Sequence, residues 1–285
     1  MKIEENTMTY KATATTVGYI DLAKNLSAVN GKSIAQTKRH DGKYKPLGFM
    51  IRVRALQGDV NIKTLNCGYP TRNSVVLAGA ARDAMLKSAG ISRSNLESYQ
   101  KELRILLDTV MNPNGSNQFH PGGTAIGTSG MGGTLSYDYT ELVMNRPDDV
   151  IDSLTKPLAM LGTQSSNQDS WDSDTRFFVV DNWVKFRHSF TPSASGDDIA
   201  NNVFSHVMQQ GETSADIINM IDDSQDEKPY SLPEFKEWES LTLRKASTSI
   251  GSPVTETFCA PLGLLKITPS ADAIWTVEVV GVTEL

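Results

Sequence analysis

The earliest strong pattern in the chain is an alternation of apolar and polar residues between positions 48 and 64. It runs over residues 48–55, stops at Gly58-Asp59 and resumes over residues 60–64. A period of two residues is typical of half-buried strands, and a Gly-Asp pair favours a turn. The pattern therefore predicts a β-hairpin.

After Pro70 the apolar residues recur at intervals of three and four, which indicates helices. One face of the first predicted helix carries Leu77, Ala81, Ala84 and Met85. Gly90 suits the C-terminus of this helix, and residues 94–97 resemble a capping box that starts a second helix. The second helix is predicted to run to Leu106, so that a helix pair follows the hairpin.

The same order of elements is predicted again about 126 residues later. Residues 176–180 and 183–187 flank an Asp181-Asn182 turn and predict a second hairpin, and helical spacing over residues 197–222 predicts a second helix pair. A strand-like segment precedes each hairpin, at residues 18–22 and 136–140. The repeated order favours a chain made of two similar halves.

The C-terminal part of the chain adds short strands separated by turn residues. They lie at residues 241–244, 254–260, 262–268 and 275–279. Many short strands with Gly, Pro, Ser and Asp between them predict a mainly β fold with inserted helices, of the jelly-roll β-sandwich kind. Three stretches rich in small polar or acidic residues are predicted to be exposed loops, at residues 112–133, 162–174 and 222–229.

Charge and composition narrow the classes of function. Of the 285 residues, 39% are hydrophobic and 21% are charged, so a folded protein is expected. The net charge of −6 and the lack of an arginine-rich arm argue against a dedicated nucleic-acid binder. No apolar run approaches the roughly 20 residues of a membrane-spanning helix. The N-terminus lacks an apolar leader, and Cys67 and Cys259 are far apart, which favours a protein kept in a reducing compartment with buried thiols.

The glycine-rich residues 122–133 are the nearest approach to a phosphate-binding loop. They lack the lysine and the following helix of a P-loop, so a flexible loop is favoured. Ser129 lies outside a GxSxG nucleophile elbow. Four histidines are too widely spaced for a zinc site, and the last of them is expected to pack on a helix face: His40, His120, His188 and His206. We expect no catalytic, cofactor-binding or metal-binding residue.

Acidic segments and tryptophans leave a second function open. Asp169, Asp172 and Asp174 alternate like the oxygen ligands of a calcium loop, although the Gly and Glu of an EF-hand are missing. A solvated turn is expected for Asp222, Asp223, Asp226 and Glu227. Core packing is favoured over sugar stacking for Trp171, Trp183, Trp238 and Trp275. The alternative function is a calcium-assisted carbohydrate-binding or adhesin-like β-sandwich, while a cupin-like enzyme would need a histidine cluster that the spacing does not offer.

The segments at residues 18–22 and 26–30, the predicted hairpin and helix after Pro46, residues 136–140, and the tail from Leu262 to Leu285 cover most of the chain. In their organisation they resemble the major capsid proteins of small icosahedral bacteriophages with a double jelly roll, such as the lipid-containing phages of flavobacteria. None of these segments is a diagnostic motif. The resemblance is one of order and spacing.

The resemblance implies two jelly rolls, at residues 1–134 and 135–285, with helical insertions at residues 73–110 and 197–222. It implies a viral structural protein and not an enzyme, located in the virion and assembled in the host cytoplasm. Its partners would be other capsid proteins and copies of itself, as a trimer that forms a pseudo-hexagonal tile, without sequence-specific nucleic-acid binding. The missing basic arm is compatible with a shell lined by an internal membrane.

The strand count leaves the number of jelly rolls open. About eight strands are predicted with clear patterns, whereas two jelly rolls need about 16. A single jelly roll with large helical insertions is the alternative fold, and it also occurs in viral coats.

Overall fold

The computed structural model describes residues 5–144, 154–164, 175–188, 238–244 and 254–285. These residues form a mainly β structure with few helices, as the sequence predicts. The strands are β1 (Thr7–Lys11), β2 (Gly18–Asp21), β3 (Thr37–His40), β4 (Lys43–Gln57), β5 (Asp59–Leu65), β6 (Glu141–Met144), β7 (Leu154–Ala159), β8 (Phe177–Phe178), β9 (Trp238–Arg244), β10 (Thr255–Pro261), β11 (Leu264–Pro269) and β12 (Ile274–Glu284). The helices are α1 (Leu22–Asn30), α2 (Tyr69–Ser88) and α3 (Val179–His188). None of these three helices is long and apolar enough to cross a membrane.

Nine of the strands form two antiparallel sheets. The first sheet has the order β1-β12-β4-β10, and β3 pairs with the N-terminal end of β4. The second sheet has the order β2-β11-β5-β9. The last strand, β12, lies between β1 and β4, where Val277 is opposite Met8 on one side and Val53 on the other. The two ends of the chain are therefore joined in one sheet.

The inner faces of the two sheets pack against each other in one apolar core. The largest contributors, each at most 1% exposed, are Tyr10, Ile20, Phe49, Ile51, Ile62, Ile267 and Trp275. The Tyr10 and Trp275 rings are stacked with their centroids 5.8 Å apart. Complete burial of such a side chain stabilises the fold by about 2 kcal/mol. The alternating apolar residues of the strands lie on these inner faces, and their burial holds the two sheets together.

The hairpin predicted at residues 48–64 is wrong, although both of its strands exist. β4 pairs with β12 and β10, whereas β5 pairs with β11 and β9. Gly58, with φ of +71°, carries the chain from the first sheet to the second. Each strand has one apolar face, and the two faces pack against each other across the core. The chain therefore passes from one sheet to the other at Gly58, whereas a hairpin would keep both strands in the same sheet.

A second apolar core lies on the other side of the second sheet. Tyr19 and Leu264 of that sheet contribute to it, together with residues of α2, α3, the segment 103–107 and the small sheet β6-β7-β8. All of these additional elements come from the chain between β5 and β9. The described structure thus consists of the sandwich and an insertion that covers one of its outer faces.

The first predicted helix is confirmed as α2, but the second helix, from Ser94 to Leu106, is wrong. Two short 3-10 turns, Arg93–Asn95 and Ser98–Lys101, take its place. They are followed by an extended segment in which four side chains are fully buried: Leu103, Ile105, Leu106 and Leu107. The Leu106 N–H donates to Leu158 O at 2.9 Å, so this segment runs beside β7. Burial on both sides suits an extended chain between two layers better than an amphipathic helix.

The hairpin predicted at residues 176–187 is also wrong, because α3 covers residues 179–188. Val179, Trp183 and Phe186 are spaced by four and three residues and are all buried. The predicted turn residues are buried too, and both bind Gln164: the Asp181 carboxylate accepts from its N–H at 2.8 Å, and the Asn182 amide donates to its Oε1 at 3.2 Å. Side-chain hydrogen bonds to a distant residue replace the local turn.

The predicted division into residues 1–134 and 135–285 stays a prediction, and both ranges contribute strands to the same two sheets of the described structure. The first range supplies five of these strands, β1 to β5, and the second supplies four, β9 to β12. Residues 18–21 form the predicted strand, whereas residues 136–140 form none. All four predicted tail strands are confirmed. The helices predicted at residues 197–222 lie outside the described residues.

Candidate functional site

The interior of the sandwich is filled with large side chains. Phe49, Tyr10 and Trp275 are fully buried there. These three rings occupy the space between the two sheets. Among the described residues no group of three or more His, Cys, Asp or Glu side chains is placed to hold a metal ion. The buried polar side chains described below lie in or beside the loops around the sandwich.

The loop at residues 112–134 is named the clamp loop here because it binds an edge strand of each sheet. In the second sheet, the Tyr19 N–H donates to Asn117 O at 3.1 Å, and the Phe119 N–H donates to Tyr19 O at 2.7 Å. In the first sheet, Thr9 O accepts from the Gly122 N–H at 3.0 Å. Because β1 and β2 are edge strands, the clamp loop satisfies backbone groups that would otherwise be open to pairing with another chain.

Phe119 anchors the clamp loop in the sandwich core. Its side chain is 2% exposed and meets Trp275 edge to face, with ring centroids 5.1 Å apart. Gly18 leaves room for this ring, because a Cβ atom at that position would lie 2.6 Å from Phe119 and from Ile126. The sequence prediction of an exposed, flexible loop at residues 112–133 is therefore wrong for its central part.

Several glycines of the clamp loop use their N–H groups to close the loop on itself. Their N–H groups are directed at carbonyl groups of the protein: Gly123 to His120 O, Gly127 to Gln118 O and Gly130 to Pro121 O, at 2.8 to 3.2 Å. Ser129 is 7% exposed. With these donors committed to loop closure, the loop has a structural role.

A buried charge network connects the clamp loop to α1. Asp21 caps α1, since its Oδ1 accepts from the Lys24 N–H at 3.0 Å. Its Oδ2 accepts from Gln36 Nε2 at 3.0 Å and from the Tyr139 hydroxyl at 2.9 Å. The Lys24 ammonium donates to Gln118 Oε1 in the clamp loop. One carboxylate and one amine thus join the sandwich, the first helix and two loops.

Burial controls the titration of both charged groups in this network. It raises the pKa of the Asp21 carboxyl above its ordinary value, against the opposing effect of Lys24. It lowers the pKa of the Lys24 ammonium to about 8, against the opposing effect of Asp21. Perturbed pairs of this kind also occur in active sites. Here Asp21 is 0% and Lys24 is 2% exposed, so neither touches the surface where a substrate would bind.

His120 is the buried histidine of the clamp loop. Its side chain is 1% exposed, Nε2 lies 3.1 Å from Gly115 O, and Nδ1 is buried without a hydrogen-bond partner. Burial, reinforced by the charge of Lys24, lowers the pKa of the His120 ring to about 4. The ring is therefore neutral at pH 7.

Asp108 anchors the chain just before the clamp loop. Its Oδ2 accepts from the Tyr19 hydroxyl and from the Lys266 ammonium, each at 2.9 Å. Its Oδ1 accepts from two backbone N–H groups, those of Val110 and Met111, each at 3.0 Å. Two buried carboxylates thus tie the chain on either side of the clamp loop to the second sheet. Asp108, before the loop, binds Tyr19 and Lys266, and Asp21 of β2 binds Tyr139, after the loop.

The remaining sequence candidates are not brought together. His40 is exposed beside Asp41, and Cys67 and Cys259 are half-buried thiols that form no disulfide. Trp275 is a core residue, and Trp183 is buried in α3. The predicted calcium segment, Trp171, the acidic segment 222–229 and His206 lie outside the described residues.

The sequence interpretation missed the network residues. Aspartate is one of the residues preferred at a helix N-cap, so Asp21 could have been predicted to cap a helix that begins at Leu22. Nothing in the sequence links it to Tyr139, which is 118 residues away. Comparisons with known proteins supply no further assignment: no family model, curated protein or solved structure matches the chain.

Proposed function

We propose that the chain is a viral coat subunit built on a single jelly roll, which assembles with copies of itself into a closed shell. The observation that carries the proposal is the strand order of the sandwich. The double jelly roll expected from the resemblance is replaced in this proposal by the single one.

Numbered along the chain, the eight sandwich strands have the orders 1-8-3-6 and 2-7-4-5 in the two sheets. The first strand pairs with the last, and every connection except that between the fourth and fifth strands crosses from one sheet to the other. Two interlocked Greek keys of this kind define the jelly roll, which is the fold of many viral capsid, lectin and cupin domains. The insertion between β5 and β9 fills the role that the resemblance gives to helical insertions.

The filled interior supports a scaffold role for this jelly roll. Lectins and cupins use a concave face or an open barrel, whereas here Trp275, Phe49 and Phe119 close the space between the sheets. Binding is then left to outer surfaces and loops. Association of identical subunits through such surfaces, under closed symmetry, needs well over 1,000 Å² of buried area for each stable contact.

The end of β12 offers one such surface. β1 covers β12 as far as Glu278. Beyond that point Val280 and Val282 are 54% and 39% exposed. Exposed valines near the end of a strand are suited to contact with a second copy. The trimeric tile and the internal membrane remain predictions of the resemblance.

Light scattering over a range of protein concentrations and salt concentrations tests the proposal. Particles or discrete oligomers whose population rises with concentration are expected. A protein that stays monomeric at every concentration and salt tested would contradict the coat function.

A further inference from the structure

A cleft of about 430 Å³ opens between β3 and the C-terminal end of α2. Cationic side chains lie on its wall, from Arg39 of β3, Lys87 of α2 and Arg93 of the following turn. Asp83 is the carboxylate in the same wall, and Leu86 and Ile91 supply an apolar side. The cleft is remote in sequence and role from the clamp loop and its network.

Tyr44 holds the two guanidinium groups in place. Its buried ring lies 5.8 Å from the Arg39 guanidinium and 5.1 Å from that of Arg93. Arg93 also donates to the Tyr44 hydroxyl through Nη1, and to Lys101 O through Nη2 at 2.5 Å. Guanidinium groups fixed before a ligand arrives lose little freedom on binding, which favours affinity.

The charge of the cleft is only partly compensated. Asp83 accepts from Arg39 Nη2 at 2.9 Å and lies 3.5 Å from Arg93 Nη1. Three cations against one carboxylate leave two positive charges. Behind the wall, the Glu102 carboxylate interacts most strongly with Arg93 and then with Arg82. When Arg82 and Glu102 are counted with the wall, four cations face two carboxylates, and two positive charges remain. Lys87 is exposed at the cleft.

We propose that this cleft binds an organic phosphate monoester, a function that does not depend on the coat proposal. A phosphate monoester carries about −1.5 to −2 charges at pH 7, which matches the two uncompensated cations. Arg39, Lys87 and Arg93 would contact the phosphate oxygens, for which guanidinium donors are well matched. Leu86 and the 46% exposed Ile91 would contact the organic part. The cleft volume suits a small organic ligand.

Titration calorimetry with phenyl phosphate, at constant ionic strength in chloride, tests the site. Saturable binding is expected, and Lys87→Gln should weaken it on the order of tenfold through loss of one charge-assisted contact. Lys63→Gln, which removes the same charge from an exposed position on β5, is the control and should bind like the unaltered protein. Lack of saturable binding, or equal affinities for the Lys87→Gln and Lys63→Gln proteins, would overturn the proposal.

Two further ligands and one variant separate the parts of the site. Inorganic phosphate should bind more weakly than phenyl phosphate, and Ile91→Ser should remove that difference while leaving phosphate binding intact. Benzoate, with a planar carboxylate, should bind more weakly than phenyl phosphate. If benzoate binds as tightly, the site is one for carboxylates and the phosphate assignment is wrong.

Discussion

Asp21 is the residue on which most of the loop architecture depends. It is fully buried, caps α1 and accepts hydrogen bonds from Gln36 and Tyr139, while Lys24 beside it reaches the clamp loop. A buried charge with several partners is costly to disrupt, because removal of one member leaves the others without compensation. The charge network therefore makes loop position and helix position interdependent.

Asp21→Ala is expected to lower the free energy of unfolding by about 3 to 5 kcal/mol. The substitution removes the cap and leaves the Lys24 ammonium buried beside an apolar methyl group. Denaturant unfolding followed by circular dichroism measures the loss. Asp138→Ala removes an exposed carboxylate next to Tyr139 and should change stability by less than about 0.5 kcal/mol. Equal stabilities for the two variants would show that the network is dispensable.

Because of His120, the free energy of unfolding is expected to depend on pH. Its pKa is about 4 in the folded chain, below the ordinary 6.5, so the unfolded chain takes up the proton first as the pH falls. The stabilisation from the neutral ring is complete above pH 6.5 and is lost as the pH falls through 4. His120→Gln should remove a pH dependence of about 3 kcal/mol between these values. His40→Gln, at an exposed position, is the control, and an unchanged pH profile for His120→Gln would contradict this account.

At the scale of elements, the clamp loop is expected to protect the edges of both sheets. Phe119→Ala should destabilise the protein by about 3 to 5 kcal/mol, because it opens a cavity against Trp275. It should also speed hydrogen exchange at the amides of Tyr19 and Gly122, which donate the hydrogen bonds between the clamp loop and the two sheets. Met131→Ala, at a position 64% exposed in the same loop, should leave exchange unchanged. Protection of these amides in Phe119→Ala equal to that in the unaltered protein would contradict the clamp.

Local sequence signals identified most of the strands but failed where the environment is decided by distant residues. Residues 176–180 combine aromatic and β-branched side chains, yet α3 forms because its apolar residues also match helical spacing and Gln164 binds the predicted turn. Leu96 and Leu106 match helical spacing, yet the chain between them forms a short 3-10 turn and then an extended segment that enters the second core. In both segments the pattern fits two structures, and burial by other elements selects one.

At the scale of the molecule, the pairing of strands was the part that the sequence could not supply. β4 and β5 are separated by one residue, but their partners β12 and β9 lie far along the chain. Alternation along a strand shows that one face is buried, and it says nothing about which strand lies beside it. The order of strands in the two sheets, on which the proposed jelly roll and the proposed function depend, is a property of those distant pairings.

Val282→Asp is expected to raise the protein concentration required for assembly at least tenfold, without loss of fold. A charge on an exposed strand end repels an identical strand and is solvated in the monomer. Sedimentation velocity measures the shift. Val17→Asp places the same charge at a valine that is 44% exposed outside β12 and should assemble normally. Equal assembly of both variants would exclude the end of β12 as a contact.

Electron microscopy of the purified protein under assembling conditions is the most direct test of the coat function. The account predicts closed particles of uniform diameter, with one sandwich for each chain in their averaged density. Images that show only dispersed single molecules, under every condition that keeps the protein folded, would contradict it.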